Sequence, residues 1–345
     1  MKTSPLPSVS IIIPVYGAER YIERCLNSVA KQTYHGEVEC LIVDDRGPDR
    51  SAEIAEKWVE AYRGKTKFRI LHHDVNRGVS AARNTALEEA SGDYVYILDS
   101  DDELPYDALS NLVGCLEAHP GVDLVLGQMY PPPSEPSLYF NFDKDYYEGD
   151  TARRQMLRRD HTTWQAANKL IRRSLLTEKT LHYQTGIKGE DDLFTFFLAR
   201  SISSMAVTQK PTYVYYLNPS SIMHTLDRES FHRDIVRVHE LQTEALTSEL
   251  GSAQVNYILH SLLDFDIAIR YGHADPDVAS DPLLSRIRAL IPCLRRHTSN
   301  VLLLVSLAIF SVEMRSSMHL SSRLLMPLHR ASKMFAKLYQ KFFLR

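Results

Sequence analysis

Short apolar runs alternate with amphipathic segments along the first third of the chain. The runs are VSIIIPV (9–15), VECLIVD (38–44), FRILHH (68–73) and DYVYILD (93–99). Continuous apolar runs rich in β-branched residues are typical of parallel strands that are buried on both faces. The segments between them have apolar positions at the spacing of an α-helix. Strands that alternate with helices in this way predict βαβ units, and therefore an α/β fold with an open, mostly parallel sheet and flanking helices.

The pattern changes after this first third. Near residue 130 the segment PPPSEP indicates a stiff turn, and mixed helix-like and strand-like pieces follow it. From about residue 227 onward the apolar spacing predicts helices only. We therefore predict an α/β domain in residues 1–220 and a helical C-terminal region in residues 221–345.

Composition places the chain among ordinary globular proteins. It has 345 residues, a net charge of −3 and 44% hydrophobic residues, without the basic stripe near its front that would suggest nucleic acid. Its four cysteines lie far apart, which favours free thiols in a reducing compartment over disulfides or a zinc site. The N-terminal apolar run is too short for a signal peptide, and the longest apolar stretch (301–312) is shorter than the ~20 residues of a membrane span. We expect a cytoplasmic protein.

Three carboxylates follow the fourth apolar run, in ILDSDDE (97–103). In one interpretation, Asp101 and Asp102 cap the next helix and Asp99 is a solvated turn residue. In the other, the carboxylates surround a divalent cation, because Mg²⁺ and Mn²⁺ prefer oxygen ligands and usually take one or two carboxylates plus substrate phosphates. Spacing alone leaves both interpretations open.

Further acidic residues end the second apolar run. Asp44 and Asp45 lie at the same edge of the predicted sheet, where ligands of open α/β sheets bind. A carboxylate at this place can accept hydrogen bonds from a ribose hydroxyl or a nucleobase. No G-x-G-x-x-G or P-loop motif follows the first run, so a diphosphate would have to be bound by a metal and by basic residues such as Arg77 or Arg83. Together these features predict a nucleotide-diphosphate ligand.

Several stretches occur in a characteristic order and spacing: VSIIIPVYGAERYIERCLNSVAKQT, VECLIVDDRGPDRS, NRGVSAARNTALEEASGDYVYILDSDDE and, further on, NKLIRRSLL followed by GEDDLF. As a set they resemble glycosyltransferase family 2, and the resemblance covers residues 8–220. It implies the GT-A fold of nucleotide-diphospho-sugar transferases. One departure is IVDDRGPD, where the family has IVDDGS, so that the basic Arg46 stands where a small residue is usual.

The resemblance implies roles for individual residues. Asp99 and Asp101 form its Asp-x-Asp element, which would bind Mn²⁺ or Mg²⁺; Asp101 is the stronger candidate, Asp99 could instead face the ribose, and Asp102 could substitute for Asp101. The residues that would bind the nucleotide and donor are Pro14, Val15, Tyr16, Asp45, Arg83, Asp99 and Ser100. Among them, the resemblance implies that the first three line the base pocket, that Asp45 hydrogen-bonds the uracil-type base, and that Arg83 lies near the metal and the diphosphate.

A second acidic cluster lies in GEDDLF (189–194). Taken alone, it is the start of a helix, where acidic residues offset the helix dipole. The resemblance instead implies that Asp191 is the catalytic base and that Glu190 orients it or the acceptor.

The function implied is that of a metal-dependent inverting glycosyltransferase. It would move a sugar from a nucleotide-diphosphate donor, most simply a UDP-sugar, to a hydroxyl of a glycan or lipid-linked acceptor in bacterial surface polysaccharide synthesis. The alternative is a catalytically silent protein that binds sugar nucleotides or serves as a scaffold, against which the intact set of Asp99, Asp101 and Asp191 argues.

The C-terminal tail has a different character. Residues 313–345 contain seven basic residues and one acidic residue, and apolar positions form one stripe opposite the basic ones. Such a helix can pack on its own domain or on a partner, including a second copy of the chain. The aromatic apolar face and the basic face also fit a helix in an anionic membrane interface. We predict peripheral contact with the inner face of the cell membrane.

Other residues favour unremarkable interpretations. His72 and His73 are adjacent in a strand and point to opposite faces, which argues against a shared metal. Lys169 could meet phosphate or an acceptor, although the default interpretation is a solvated helix start. Trp164 could stack on an acceptor sugar, but a tryptophan that packs in the core or on the surface fits the sequence at least as well. His224 could lie on a segment that closes over the donor.

Overall fold

The computed structural model describes residues 5–130, 142–158, 165–218, 227–248, 250–272, 282–301, 303–305, 307, 331, 333–335 and 337–338. Trp164 and His224 lie outside these residues, as does most of the C-terminal tail, so the predictions made for them stay predictions.

Eight strands of the described chain form one sheet. They are β1 (Val9–Val15), β2 (Val38–Asp44), β3 (Lys67–His72), β4 (Tyr94–Ile97), β5 (Leu124–Tyr130), β6 (Tyr146–Glu148), β7 (Lys169–Arg172) and β8 (Ser204–Val214). Their order is β3-β2-β1-β4-β7-β5-β8-β6. Neighbours among the first four are parallel, as are β5 and β8, whereas β7 runs antiparallel to both β4 and β5, and β6 runs antiparallel to β8. The open, mostly parallel sheet is therefore confirmed.

Helices connect and flank the strands. They are α1 (Ile22–Ala30), α2 (Ser51–Ala61), α3 (Val79–Glu89), α4 (Ala108–Ala118), α5 (Gly149–Met156), α6 (Arg173–Glu178), α7 (Glu190–Ser201), α8 (Arg228–Glu244), α9 (Gly251–Gly272) and α10 (Pro282–Arg296). The described elements after residue 227 are all helical, as the sequence predicts.

The core lies around β1, whose seven residues are all buried. Ile11 and Ile13 belong to one cluster with Leu26 of α1 and Leu112 of α4. Burying a large aliphatic side chain contributes about 1.5–3 kcal/mol, so this continuous apolar strand stabilises the sheet where the parallel strands pair. Strand β3, at the edge of the sheet, alternates between exposed and half-buried residues instead.

The chain divides into two compact units. The first comprises Met1–Arg153, Asp160–Gly186 and Glu190–His224; the second comprises Arg154–Arg159, Ile187–Gly189 and Thr225–Arg345. The first contains the whole sheet. In the second, the backbone N–H of Lys188 donates to the carboxylate of Asp234 on α8. The boundary predicted at residue 220 lies outside the described residues.

Among the residues that the structure describes, no helix has both the length and the apolar character that spanning a membrane requires.

Candidate active site

The ends of β1 and β2 lie side by side at the carboxyl edge of the sheet. Val15 pairs with Asp44, and the N–H of Asp45 donates to the carbonyl of Val15 at 3.0 Å. Pro14 and Val15 are buried, whereas Tyr16 is 44% exposed. Of the three residues predicted to line a base pocket, Tyr16 is therefore the one whose ring reaches solvent beside the strand ends.

Asp45 has three hydrogen-bond partners within the protein. It is 2% exposed, and its Oδ1 lies 2.6 Å from His73 Nδ1. The backbone N–H groups of Arg77 and Gly78 donate to its two oxygens, each at 2.8 Å. His73 in turn lies 2.9 Å from Thr85 Oγ1. In this arrangement the carboxylate fixes the loop between β3 and α3, and its predicted contact with a nucleobase stays a prediction.

Arg46, the departure from the family pattern, has a φ of 53°. This left-handed region favours glycine, which is the residue that the family motif IVDDGS has directly after its two aspartates. The Arg46 backbone N–H donates to Asp44 Oδ1 at 2.9 Å, and its Nε donates to the carbonyl of His73 at 2.6 Å. The longer side chain thus links the ends of β2 and β3 beside a cavity of about 530 Å³.

The three carboxylates after β4 have three different environments. Asp99 is half-buried, with Oδ1 3.1 Å from Arg83. Asp101 is half-buried, and its Oδ2 accepts from Asn218 Nδ2 at 2.9 Å. Asp102 is buried and accepts from the Tyr213 hydroxyl at 2.6 Å and from the Tyr216 backbone N–H at 2.8 Å. Ser100 lies between them, half-buried.

The pKa of Asp102 reflects its burial. Desolvation, reinforced by the charges of Asp99 and Asp101, raises the pKa of this carboxyl to about 8 despite the hydrogen bonds from Tyr213 and Tyr216. Both of its oxygens are engaged by donors at the end of β8, so Asp102 anchors that strand end to β4.

Arg83 joins the two acidic clusters. Its NH2 donates to Asp99, while its NH1 donates to Asp191 Oδ1 at 2.7 Å and to Glu190 Oε1 at 3.1 Å. The Arg83 side chain is only 4% exposed. Burial alone would lower its pKa, but the neighbouring carboxylates, above all Asp191, raise it above the usual value. We call Arg83, Asp99, Glu190 and Asp191 the Arg83 junction.

Tyr183 packs against the Arg83 junction. The Arg83 guanidinium lies 5.1 Å from the centre of its ring, which stacks on Phe194 at 4.1 Å between ring centres. Asn84 and Tyr183 exchange two hydrogen bonds of 2.8 Å, from the Asn84 amide to the Tyr183 carbonyl and from the Tyr183 N–H to Asn84 Oδ1. Helices α3 and α7 are thereby held at the same edge of the sheet.

Lys169 differs from its default interpretation. It is the first residue of β7 and 2% exposed, so it is not a solvated helix start. The preceding Asn168, at φ 59°, donates to the Gly127 carbonyl and accepts from the hydroxyls of Tyr96 and Thr212. This buried turn leads directly into β7, which begins at Lys169. A lysine directly before the apolar pair of KLIR is the one sequence signal that could have indicated a buried position.

Within the described residues, no group of three or more His, Cys, Asp or Glu side chains is arranged to hold a metal ion by itself. The junction nevertheless sets three carboxylates against one guanidinium, which leaves an excess of negative charge at the carboxyl edge of the sheet. Such an edge can accept a divalent cation that takes its remaining ligands from a diphosphate.

Comparison with known proteins agrees with this geometry. Residues 10–178 match the family model for glycosyl transferase family 2. Glycosyltransferase GlyG of Streptococcus pneumoniae serotype 4 is 27% identical over 242 residues, which cover 67% of this chain and 77% of GlyG.

Solved structures share the fold. The crystal structure of S. aureus TarS 1–349 in complex with UDP-GlcNAc matches with a TM-score of 0.69 at 20% identity, covering 97% of this chain and 92% of that one. The mannosyltransferase PcManGT from Pyrobaculum calidifontis, in complex with GDP-Man and Mn²⁺, matches with a TM-score of 0.50 at 18% identity, covering 99% and 90%. The chain therefore belongs to glycosyltransferase family 2 and has the GT-A fold.

Proposed function

We propose that this glycosyltransferase moves a sugar from a UDP-sugar to a hydroxyl of a glycan or lipid-linked acceptor, with inversion at the anomeric carbon, in the synthesis of a surface polysaccharide. The observation that carries the proposal is the Arg83 junction, where a carboxylate that follows β4 and two carboxylates of α7 meet at one guanidinium. The crystallisation of TarS with UDP-GlcNAc supports a uridine donor.

Asp191 serves as the base. Its side chain is 23% exposed in the first turn of α7, so an acceptor hydroxyl can reach it from solvent. In the transfer step the acceptor oxygen bonds to the anomeric carbon and the bond from that carbon to the diphosphate oxygen breaks. The proton of the hydroxyl passes to the Asp191 carboxylate. One direct displacement of this kind inverts the configuration. Glu190 accepts a hydrogen bond from the same guanidinium nitrogen that donates to Asp191. It thereby fixes Arg83, which in turn orients Asp191.

Asp101 and Asp99 would hold Mn²⁺ or Mg²⁺. Their half-buried carboxylates provide the hard oxygen ligands that these cations prefer, whereas both oxygens of Asp102 already accept hydrogen bonds. When bound, the cation would neutralise the charge that develops on the departing diphosphate. The Mn²⁺ in the complex of PcManGT supports a divalent cation as cofactor, while the choice of Asp101 and Asp99 rests on their environment in this chain.

On the donor side, the exposed ring of Tyr16 lies where a base can stack on it, beside the buried Pro14 and Val15. Asp45 has three partners within the protein, and a base would be the fourth partner of its carboxylate. Ser100 would line the ribose side of the site with Asp99.

Donor binding gives the first test. We expect UDP-GlcNAc with MnCl₂ to raise the melting temperature, because a ligand at 100 times its Kd stabilises the folded state by about 2.7 kcal/mol, which corresponds to roughly 5–10 °C for a domain of this size. The shift should fall sharply without Mn²⁺ or in Asp101→Asn. Asp145→Asn, beside β6 at the far end of the sheet, is the matched control. A shift of equal size with and without metal would contradict the role given to Asp101.

The tail gives a second test. We expect the full chain to sediment with vesicles that contain anionic phosphatidylserine and to lose this binding when residues 313–345 are deleted. Neutral phosphatidylcholine vesicles are the control. Equal sedimentation of the two forms would exclude the tail as the membrane anchor, and a change in oligomeric state on deletion would assign the tail to a homodimer instead.

A further inference from the structure

The carboxylate of Asp101 is held by two consecutive hydrogen bonds. The hydroxyl of Tyr21, directly before α1, donates to Asn218 Oδ1 at 3.1 Å. The amide of Asn218, which follows β8, donates in turn from Nδ2 to Asp101 Oδ2 at 2.9 Å. We call these two bonds the Tyr21–Asn218 relay. The proposed mechanism gives no role to either of its members.

The relay engages only one oxygen of the Asp101 carboxylate. Within the part of the chain that the structure describes, the other oxygen, Oδ1, accepts no hydrogen bond. Asp102 differs, because its two oxygens accept from Tyr213 and Tyr216. Carboxylates that bind metals are themselves hydrogen-bonded by an outer set of residues, which orient them. Asp101, with one oxygen fixed and the other open, has the arrangement of such a ligand.

The main chain at Asp101 is fixed separately from its side chain. Arg24 of α1 donates from NH2 to the Asp101 carbonyl. The Arg24 Nε lies 2.9 Å from Glu103 Oε1, and its guanidinium lies 3.7 Å from the centre of the Tyr216 ring. Because the backbone is anchored in this way, the direction of the Asp101 carboxylate depends on the side-chain contact with Asn218. A ligand that is already oriented loses less conformational entropy when it binds.

We propose that Asn218 is a positioning residue of the metal site, which is oriented by Tyr21 and acts through Asp101. By fixing Oδ2 of the carboxylate, Asn218 presents Oδ1 to the divalent cation. The proposal rests on the role given above to Asp101 as a ligand of Mn²⁺ or Mg²⁺.

The first measurement needs no metal. In the metal-free full chain labelled with ¹⁵N, the side-chain amide signal of Asn218 is identified by its loss in Asn218→Ala. This signal should move in Asp101→Asn, because the charge of its acceptor is gone, and in Tyr21→Phe, because Oδ1 loses its donor. Tyr146→Phe, which removes a hydroxyl that donates to Glu148 at 2.7 Å, is the matched control and should leave the signal in place. A signal that responds to neither Asp101→Asn nor Tyr21→Phe would overturn the proposal.

The second measurement is the affinity for Mn²⁺ in the presence of UDP, from the electron paramagnetic resonance of free Mn²⁺. Asn218→Ala should weaken binding about 10- to 100-fold, as is typical when an outer partner of a metal ligand is lost. Tyr21→Phe should weaken it about 2- to 10-fold, as for one neutral hydrogen bond. The double variant should bind no more weakly than Asn218→Ala, because Tyr21 acts through Asn218. Asn111→Ala is the control, since Asn111 is also half-buried and accepts from Lys210.

The Mn²⁺ dependence of UDP release from UDP-GlcNAc separates positioning from other roles. Asn218→Ala should need about 10- to 100-fold more Mn²⁺ for half of its maximal rate, and should reach the wild-type kcat when Mn²⁺ saturates. A rate that saturating Mn²⁺ does not restore, an unchanged Mn²⁺ affinity in Asn218→Ala, or additive effects of the two substitutions would each overturn this proposal alone. Absence of Mn²⁺ binding by the wild type would instead count against the metal site of the proposed function, and this proposal would fall with it.

Discussion

Replacing Asp191 with asparagine is expected to slow sugar transfer by a factor of about 10²–10⁴, the usual contribution of a general base. Asparagine has the same shape and can still accept the hydrogen bond that Arg83 donates at 2.7 Å. It cannot accept a proton at neutral pH. The loss should therefore fall on kcat, while KM for the donor changes little.

The neighbouring Asp192 provides the matched control for this measurement. It lies in the same first turn of α7 and is half-buried, but no role in the junction is assigned to it. Asp192→Asn should keep most of the activity and the melting temperature of the wild type. If Asp191→Asn stays within tenfold of wild type while Glu190→Gln loses the rate, the base is Glu190, and the roles of the two residues must be exchanged.

Replacing Arg83 with methionine should remove both activity and much of the stability. The guanidinium is 4% exposed and bonds three carboxylates, and removal of one partner from a buried ionic network typically costs about 3–5 kcal/mol. Urea unfolding at pH 7.5 measures this loss. Arg77→Met is the control for loss of one positive charge, because its side chain is exposed in the loop before α3.

The stability loss in Arg83→Met should depend on pH in a defined direction. Burial and the charges of Asp191 and Asp101 raise the pKa of Asp99, and Arg83 opposes this rise. Without the guanidinium, the pKa of Asp99 in the folded state should lie further above its value in the unfolded state. The folded variant then binds protons more tightly, so it loses stability as the pH rises and regains it as the pH falls. The gap to wild type should be narrower at pH 5 than at pH 7.5. A gap that does not change with pH would mean that packing on Tyr183, rather than charge, accounts for the loss.

The strands in the first half of the sheet could be predicted because nearly continuous apolar runs mark them in the sequence. Strands β1 and β2 coincide with the runs VSIIIPV and VECLIVD, since a parallel strand covered on both faces has apolar residues at most positions. The placement of Asp99 to Asp102 at a strand end follows from the same pattern. What distinguishes Asp102 from Asp101, the hydroxyl of Tyr213, comes from more than a hundred residues further along the chain.

Strand β7 could not be predicted in the same way. It has four residues and a single apolar pair, which is too short to show the period of either a helix or a strand. The default interpretation from sequence therefore places Lys169 in solvent. The Arg83 junction could not be predicted from local patterns either. The family resemblance indicates that Arg83 lies near the diphosphate, but no local pattern reveals that it binds Asp191, which is 108 residues away.

The partners of Asp45 also could not be predicted from the sequence. The resemblance assigns it to the nucleobase, and the structure surrounds it with His73 and two backbone N–H groups. Pairing of β2 with β3 brings His73 beside Asp45, and this pairing depends on register rather than on either strand alone.

The anchoring of β8 on Asp102 decides where a smaller catalytic fragment can be cut. A fragment that stops at residue 178, where the family match ends, would lack β8 and α7. Asp102 would lose both donors, β5 would become an exposed edge, and Arg83 would lose two of its three carboxylates. An expression series should therefore yield soluble, donor-binding protein only when the C-terminal cut lies beyond Asn218, whose amide holds Asp101.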